Sequence, residues 1–329
     1  MRLRAALRLG CALALSALAA CAPTATAPLP PTPVAAGPAI TIKAEPAFLD
    51  PAAPGPVKIG RFTFVGGLQL TSTDTARLHG LSDIRVTADG HTTIVTDEGD
   101  LLRARLVMDA QGKPIGVADA RLTGLLGLDG APLQGKEQSD SEGLAMLADG
   151  SRLISFELND RIWRYPAGDG LPARAPSPER TFPRNAGMEA LAEDPANGPD
   201  AYLVGGEDSG EVWRCRLSGA CASAHVIEKP GEFGLVAAAP LPAGRWAFML
   251  RAYDPIRGVR IIITIRDAAW AEVDRLELAR PLNLDNFEGL AAVPAADGIV
   301  RLYLISDDNF SNAQRTYLFA FDWATKKPD

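Results

Sequence analysis

One clause recurs along this chain with small variations: Ser141-Glu142-Gly143-Leu144-Ala145, Met188-Glu189-Ala190-Leu191-Ala192 and Phe287-Glu288-Gly289-Leu290-Ala291. Each opens an apolar run that leads on to acidic residues. Self-similarity at roughly 40 to 60 residues is the mark of a radial repeat, which gathers equivalent side chains around one axis. Glutamates far apart in sequence would then converge.

Within each unit, short apolar runs alternate with turn residues, the pattern of a four-stranded blade. The second unit reads 142–147, 152–156 and 161–165, with a fourth run near Arg180 to Phe182. The third reads 189–192, 201–205, 211–217 and 224–228. Two degenerate units keep the spacing, one opening at His79-Gly80-Leu81-Ser82-Asp83 and one at Phe233-Gly234-Leu235. The fifth begins at Glu288 and runs out of chain after Trp323, one strand short. An orphan strand, Lys58 to Leu70, precedes the first unit and would close the ring by pairing with the last blade, leaving no open edge. The expected fold is all-β, a single propeller of five four-stranded blades; the stretch Gly116 to Asp140 leaves room for a sixth.

Antiparallel pairing sets the start of each first strand beside the end of the second. The residue pairs at that level are His79 and Asp97, Glu142 and Glu157, Glu189 and Glu207, Phe233 and Arg251, and Glu288 and Asp307, separated by 18, 15, 18, 18 and 19 residues. So many carboxylates in one mouth repel one another unless a cation or arginine offsets them. Oxygen ligands without thiols favour a hard cation, Ca²⁺ before Mg²⁺, and fit zinc poorly. Glu142, Glu189, Glu288 and Asp307 are the candidate metal ligands, with Asp97, Glu157 and Glu207 as a secondary ring. Glu189, Arg251 and His79 are the candidate catalytic groups, Arg251 for an anion and His79 as general base. The alternative is structural: the glutamates cap N–H groups of neighbouring blades, and Arg251 and His79 serve neighbours within the channel. There is no Gly-x-Ser-x-Gly, and Gly206-Glu207-Asp208-Ser209-Gly210 only looks like one.

The chain has its own address. Arg2, Arg4 and Arg8 precede an apolar run from Leu9 to Ala20, too short to span a bilayer, which reads as an export signal. Leu18-Ala19-Ala20-Cys21 resembles the lipobox of bacterial lipoproteins, which implies lipidation at Cys21. With Ala22 rather than Asp next, it implies retention at the outer membrane, on the periplasmic face of the cell envelope. The expected division is a signal over 1–20, an Ala/Pro/Thr-rich tether over 21–42 and one domain over 43–329. Loss of the signal removes three arginines, so the net charge of −7 becomes −7 − 3 = −10. That balance argues against nucleic acid or anionic lipid as partners, leaves the lipid anchor as the membrane link, and fits a monomer. Cys215 and Cys221 flank a Ser218-Gly219 turn between two strand-like runs. In an oxidising compartment they pair as a disulfide across a hairpin; otherwise they are two unpaired thiols.

Several stretches together resemble the phytase-like family, known as "esterase-like activity of phytase": Gly80-Leu81-Ser82-Asp83 with Thr96-Asp97-Glu98-Gly99-Asp100, Asp140-Ser141-Glu142-Gly143-Leu144, Asn185-Ala186-Gly187-Met188-Glu189, and Asn286-Phe287-Glu288-Gly289-Leu290 with Ile305-Ser306-Asp307-Asp308-Asn309-Phe310. The likeness runs from about Lys58 to Trp323. It implies a β-propeller and hydrolysis of an ester or phosphoester, with a small anionic or ester substrate. Propeller phytases combine Ca²⁺ with basic side chains, and near this mouth the sequence offers Arg251, with Lys136 or Arg315. Two readings stand: a lipid-anchored, calcium-dependent hydrolase, or a non-catalytic propeller that binds a ligand or partner.

Overall fold

The computed structural model of the chain describes residues 38–168, 170–295 and 298–326. The export signal, Cys21 and the expected tether up to residue 37 lie outside the described residues. Three strands precede the first repeat: β1 (Lys43–Ala47), β2 (Val57–Ile59) and β3 (Phe62–Thr71). Blade one comprises β4 (Leu81–Val86), β5 (His91–Thr96), β6 (Asp100–Met108) and β7 (Pro114–Gly124). A helical turn, α1 (Lys136–Ser139), leads into blade two, β8 (Ser141–Met146), β9 (Arg152–Phe156), β10 (Arg161–Tyr165) and β11 (Ala173–Ala175). Blade three is β12 (Ala190–Glu193), β13 (Ala201–Gly205), β14 (Glu211–Arg216) and β15 (Ala222–Val226). Blade four is β16 (Gly234–Leu241), β17 (Arg245–Asp254), β18 (Gly258–Arg266) and β19 (Glu272–Leu278), and β20 (Asn286–Pro294), β21 (Ile299–Asp307) and β22 (Tyr317–Ala324) belong to blade five. Successive strands pair antiparallel within each blade. The innermost strands touch in the cycle β4, β8, β12, β16, β20 and back to β4, so the molecule is a five-bladed β-propeller.

Ring closure follows the expected route. β22 pairs with β3, Trp323 opposite Phe62 and Tyr317 opposite Gln69, which gives blade five its fourth strand. The orphan segment is nonetheless two strands, because the chain reverses at Gly60 (φ +58°) and β2 folds back on β3. β1 adds a fifth strand on the far side of β3. The folded body also begins before residue 43: the Ile40 N–H donates to the Ala120 carbonyl at 3.0 Å, and Ile42 is buried against blades five and one.

Two further expectations are corrected. The fourth strand of blade two is β11, not the run at Arg180 to Phe182; Phe182 instead packs edge-on against Trp213 in the core shared with blade three. No sixth blade forms, since the stretch between β7 and β8 carries only turns, one isolated bridge between Leu126 and Pro132, and α1.

Small residues crowd the axis. Ala145, Ala190, Ala192, Ala237, Ala238 and Ala291 are all buried, as five strands converging on one line require. The large side chains fill the seams: Phe64, Phe319 and Phe321 between blades four and five, Phe156 and Trp163 between one and two. Trp163, Tyr165, Trp213, Tyr317 and Phe319 likewise pack between blades. Each such side chain contributes roughly 1.5–3 kcal/mol by leaving water.

Candidate functional site: an acidic mouth on the propeller axis

The recurring clause has a structural cause. In blade five the β20–β21 ladder slips between Phe287 and Gly289, and Glu288 is the bulged residue. Blade two slips between Ser141 and Leu144, around Glu142; in blade three Glu189 stands just before Ala190, which opens β12 opposite Gly205. A bulge re-aims its side chain, here out of the packed seam and towards the axis. The following glycine is equally required. A Cβ on Gly143 would lie 2.5 Å from the Leu191 Cβ, and one on Gly289 would lie 2.7 Å from the Asp83 Cα, because the neighbouring inner strand passes there.

The same ladders correct the repeat in the two degenerate units. Blade one slips between Leu81 and Asp83, and blade four between Leu235 and Ala237. The positions equivalent to Glu288 are therefore Ser82 and Val236, not His79 and Phe233. Phe233 is buried in the core between blades three and four, and His79 lines a neighbouring cavity with Asp308.

Every other predicted site residue reaches one place. A cavity of about 420 Å³ at the axis is lined by Glu142, Glu189 and Glu288 from the inner level, and by Asp97, Glu157, Glu207, Arg251 and Asp307 from the second-strand ends. Asp140, Lys136, Arg184, Asn185 and Asn309 complete its polar wall. The carboxylates perturb one another strongly. Burial, then repulsion from Glu189, Asp140 and Glu288, holds Glu142 well above the ordinary glutamate range. Burial, then Glu207 and Glu288, does the same to Glu189. Asp307 is likewise held well above, by burial and by Glu288 and Asp97. Glu288 is pushed by burial to about 7 despite Arg251, Glu157 by burial to about 7, and Asp97 by burial to about 6 despite Lys136.

Three cations answer them. Arg251 Nη2 stands 3.2 Å from Glu288 and 3.9 Å from Glu207, and Nη1 donates to Asn286, whose amide in turn donates to Glu288 at 2.8 Å. Burial alone would lower Arg251, but Glu288, Glu189 and Glu207 override it. Lys136, on α1, contacts both Asp97 and Asp140 at 2.7 Å. Arg184 is exposed at the rim and makes no ion pair or hydrogen bond among the described residues. The sequence had suggested Lys136 or Arg315; Arg315 lines the neighbouring cavity instead, and Arg184 had no motif to mark it.

The set best shaped for one ion differs from the expected one. Asp140, Glu142 and Glu157 each offer an oxygen within 4.8 Å of the others. Of the four expected ligands only Glu142 belongs to this compact group; Glu189, Glu288 and Asp307 line the rest of the mouth. Asp140 stands two residues before Glu142 in the same clause, so its presence there was legible in the motif. An all-carboxylate donor set suits a hard cation such as Ca²⁺. One glutamate does cap a neighbouring blade: Glu157 Oε1 accepts the Gly187 N–H at 3.1 Å.

Below the mouth the axis is filled. Arg85 Nη1 donates to the carbonyl of Leu290 in blade five at 2.9 Å and to Asp83 at 3.0 Å, while Nη2 donates to Leu191 of blade three and, at 3.4 Å, to Ala238 of blade four. Asp83 accepts the N–H groups of Leu144 in blade two and Leu290 in blade five, at 2.9 and 3.3 Å. One buried pair thus hydrogen-bonds across the axis to all four other blades. The mouth is a closed-bottomed cup.

A family model, "Phytase-like: Esterase-like activity of phytase", matches residues 76–310. The chain belongs to the phytase-like family. Its matched span covers all five inner strands and therefore the whole cup. No curated protein matches the chain. Among solved structures, a structural-genomics target assigned as a gluconolactonase is 14% identical over 86% of this chain and 92% of its own, with a TM-score of 0.46. A calcium-binding regucalcin from Agrobacterium tumefaciens is 12% identical over 86% and 91%, with a TM-score of 0.43. Virginiamycin B lyase from Staphylococcus aureus is 10% identical over 85% and 99%, with a TM-score of 0.42. These likenesses are too distant to carry function.

The expected disulfide is formed. Cys215 and Cys221 join β14 to the start of the outer strand of blade three, away from the cup.

Proposed function

We propose that this phytase-like propeller is a calcium-dependent hydrolase of an ester or phosphoester, working in the acidic cup. The observation that carries the reading is the compact triad Asp140, Glu142 and Glu157, set among carboxylates whose burial and mutual repulsion call for a cation. A Ca²⁺ ion held by that triad would supply the charge that polarises a carbonyl or phosphoryl oxygen. The chain's own groups divide the rest. Arg251 and the unpaired Arg184 are placed to receive the anionic part of the substrate. Glu189, held above its ordinary range, is suited to keep and deliver a proton at neutral pH. Lys136 restrains Asp97 and Asp140 on the blade-one side.

Calcium titration by calorimetry, with Asp140→Asn and Glu142→Gln as controls, tests the ion. Turnover of a generic phosphoester and an acyl ester with and without calcium, compared with Glu189→Gln, tests the chemistry. A second reading, a ligand-binding propeller without turnover, has the Glu157 cap on Gly187 in its favour. Calcium binding with no hydrolysis of either ester class would select it.

We further propose anchoring of the mature chain in the bacterial envelope, at the outer membrane, through lipid at Cys21, and action as a monomer. Supporting this are the sequence at Leu18 to Cys21 and the Ala/Pro/Thr-rich stretch behind it. Labelled palmitate should enter the wild-type chain and not Cys21→Ser, and light scattering of the soluble domain should give one subunit.

A further inference from the structure

Beside the cup lies a separate cavity of about 540 Å³ between blades five and one, within the range of small-molecule sites. The strand that ends blade five's second run builds the wall between them. Asp307 and Asn309 face the cup, and Asp308 and Phe310 face the second cavity. Asn309 and Phe310 both adopt left-handed backbone, φ +48° and +52°, a conformation that costs a non-glycine residue energy and that folds retain chiefly where it serves a site.

His79 is the focus of this second cavity. Its Nδ1 meets Asp308 Oδ2 at 2.7 Å, and Asp308 is itself held by the Thr316 hydroxyl at 3.0 Å and the Phe310 N–H at 3.2 Å. A carboxylate so fixed sets the tautomer and tilt of the ring, and leaves Nε2 as the nitrogen available to a ligand. Phe310 packs beside the imidazole with ring centres 5.3 Å apart. The remaining wall carries amides and hydroxyls, among them Gln69, Thr71, Ser72, Ser311 and Gln314. The imidazole is paired with Asp308, and Nη1 of Arg315 donates to the carbonyls of Asn312 and Gln314, at 2.7 and 2.8 Å.

We propose that this cavity is a second binding site, for a neutral polyhydroxylated ligand of one or two sugar rings, with His79 Nε2 as its hydrogen-bonding anchor and Phe310 as its apolar face. The assignment is independent of the chemistry in the cup.

The sequence contains three histidines, so the imidazole resonances of histidine-labelled protein are few, and His79→Gln identifies that of His79. Glucose, N-acetylglucosamine and maltose are titrated, with inorganic phosphate and citrate as anionic comparators. The expected result is saturable movement of the His79 resonance by at least one sugar, with His91 and His225 still, and affinity about tenfold weaker in Phe310→Ala, the loss of one ring contact. Movement by the anions alone, or by none of the five probes, overturns the proposal. So does an unchanged sugar affinity in a Phe310→Ala protein that melts like wild type.

Discussion

Arg251 Nη2 lies 3.2 Å from Glu288 Oε1 across the seam between blades four and five, both side chains mostly withdrawn from water. The pair joins blade four, which lines the cup with Arg251, to blade five, which brings Glu288 and Asp307 to it. Replacing the guanidinium with an apolar chain strands Glu288 and Glu207. Arg251→Met should cost about 3 kcal/mol at pH 8, the lower range for breaking a buried pair, because the site is open at the top. The loss should shrink at pH 5.5, where Glu288 takes a proton. Urea unfolding at the two pH values checks both the size and its pH dependence.

Acid should stabilise the cation-free protein. Glu157 and Glu288 titrate near 7 when folded, against an ordinary value of 4.5. Below pH 4.5 both states carry the protons and the stabilisation is complete; as pH rises through 7 the folded state must surrender them, and stability falls. We expect thermal melting to drop between pH 5 and pH 8 by an amount equivalent to about 1–3 kcal/mol. Calcium at pH 8 should restore it by binding only the folded state, and chelator should remove the gain.

The axial staple should be the least replaceable residue in the fold. Arg85 donates to carbonyls of blades three, four and five through one planar fork. Lysine has one nitrogen to place and cannot copy that geometry. Arg85→Lys should lose about 2 kcal/mol or more, and Arg85→Ala about 3–5 kcal/mol, since Asp83 is then buried with no counter-charge. Denaturant midpoints measure this, and calcium affinity at the cup reports whether the blades have also shifted.

The disulfide should matter for stability and not for the site. It closes a short loop, with six residues of sequence separation, at the periphery of blade three. Cys215→Ala with Cys221→Ala should cost about 2 kcal/mol on loop entropy. Calorimetry should find calcium binding at the cup unchanged.

Much of the site could be read from the chain because one physical demand repeats. Each second strand must end beside the bulge of the first, so Asp97, Glu157, Glu207, Arg251 and Asp307 all fall at one level and all line the cup. The inner level was read correctly where the Glu-Gly-Leu or Glu-Ala-Leu wording survives and misplaced by three residues where it does not. A bulge leaves no mark in sequence except the residue it displaces, and Ser82 and Val236 look like ordinary strand residues. Arg85 was missed for a related reason: a single arginine on an apolar strand reads as an exposed edge, and only the convergence of carbonyls from other blades shows what it satisfies. The fourth strand of blade two was misplaced because outer strands bury little. Ala173 and Arg174 are exposed and carry no alternation, whereas Phe182 is apolar for the sake of a neighbouring seam.

β3 precedes the first blade and β22 comes after the fourth, yet they form one ladder. A chain emerging from its amino terminus therefore carries half of the clasp before any blade is made and must wait for β22 before it can fasten. Until then blade five has a bare margin, and the five wedges cannot settle into a circle. Removing either β3 or β22 should unseat the whole disc, not just the blade that was trimmed.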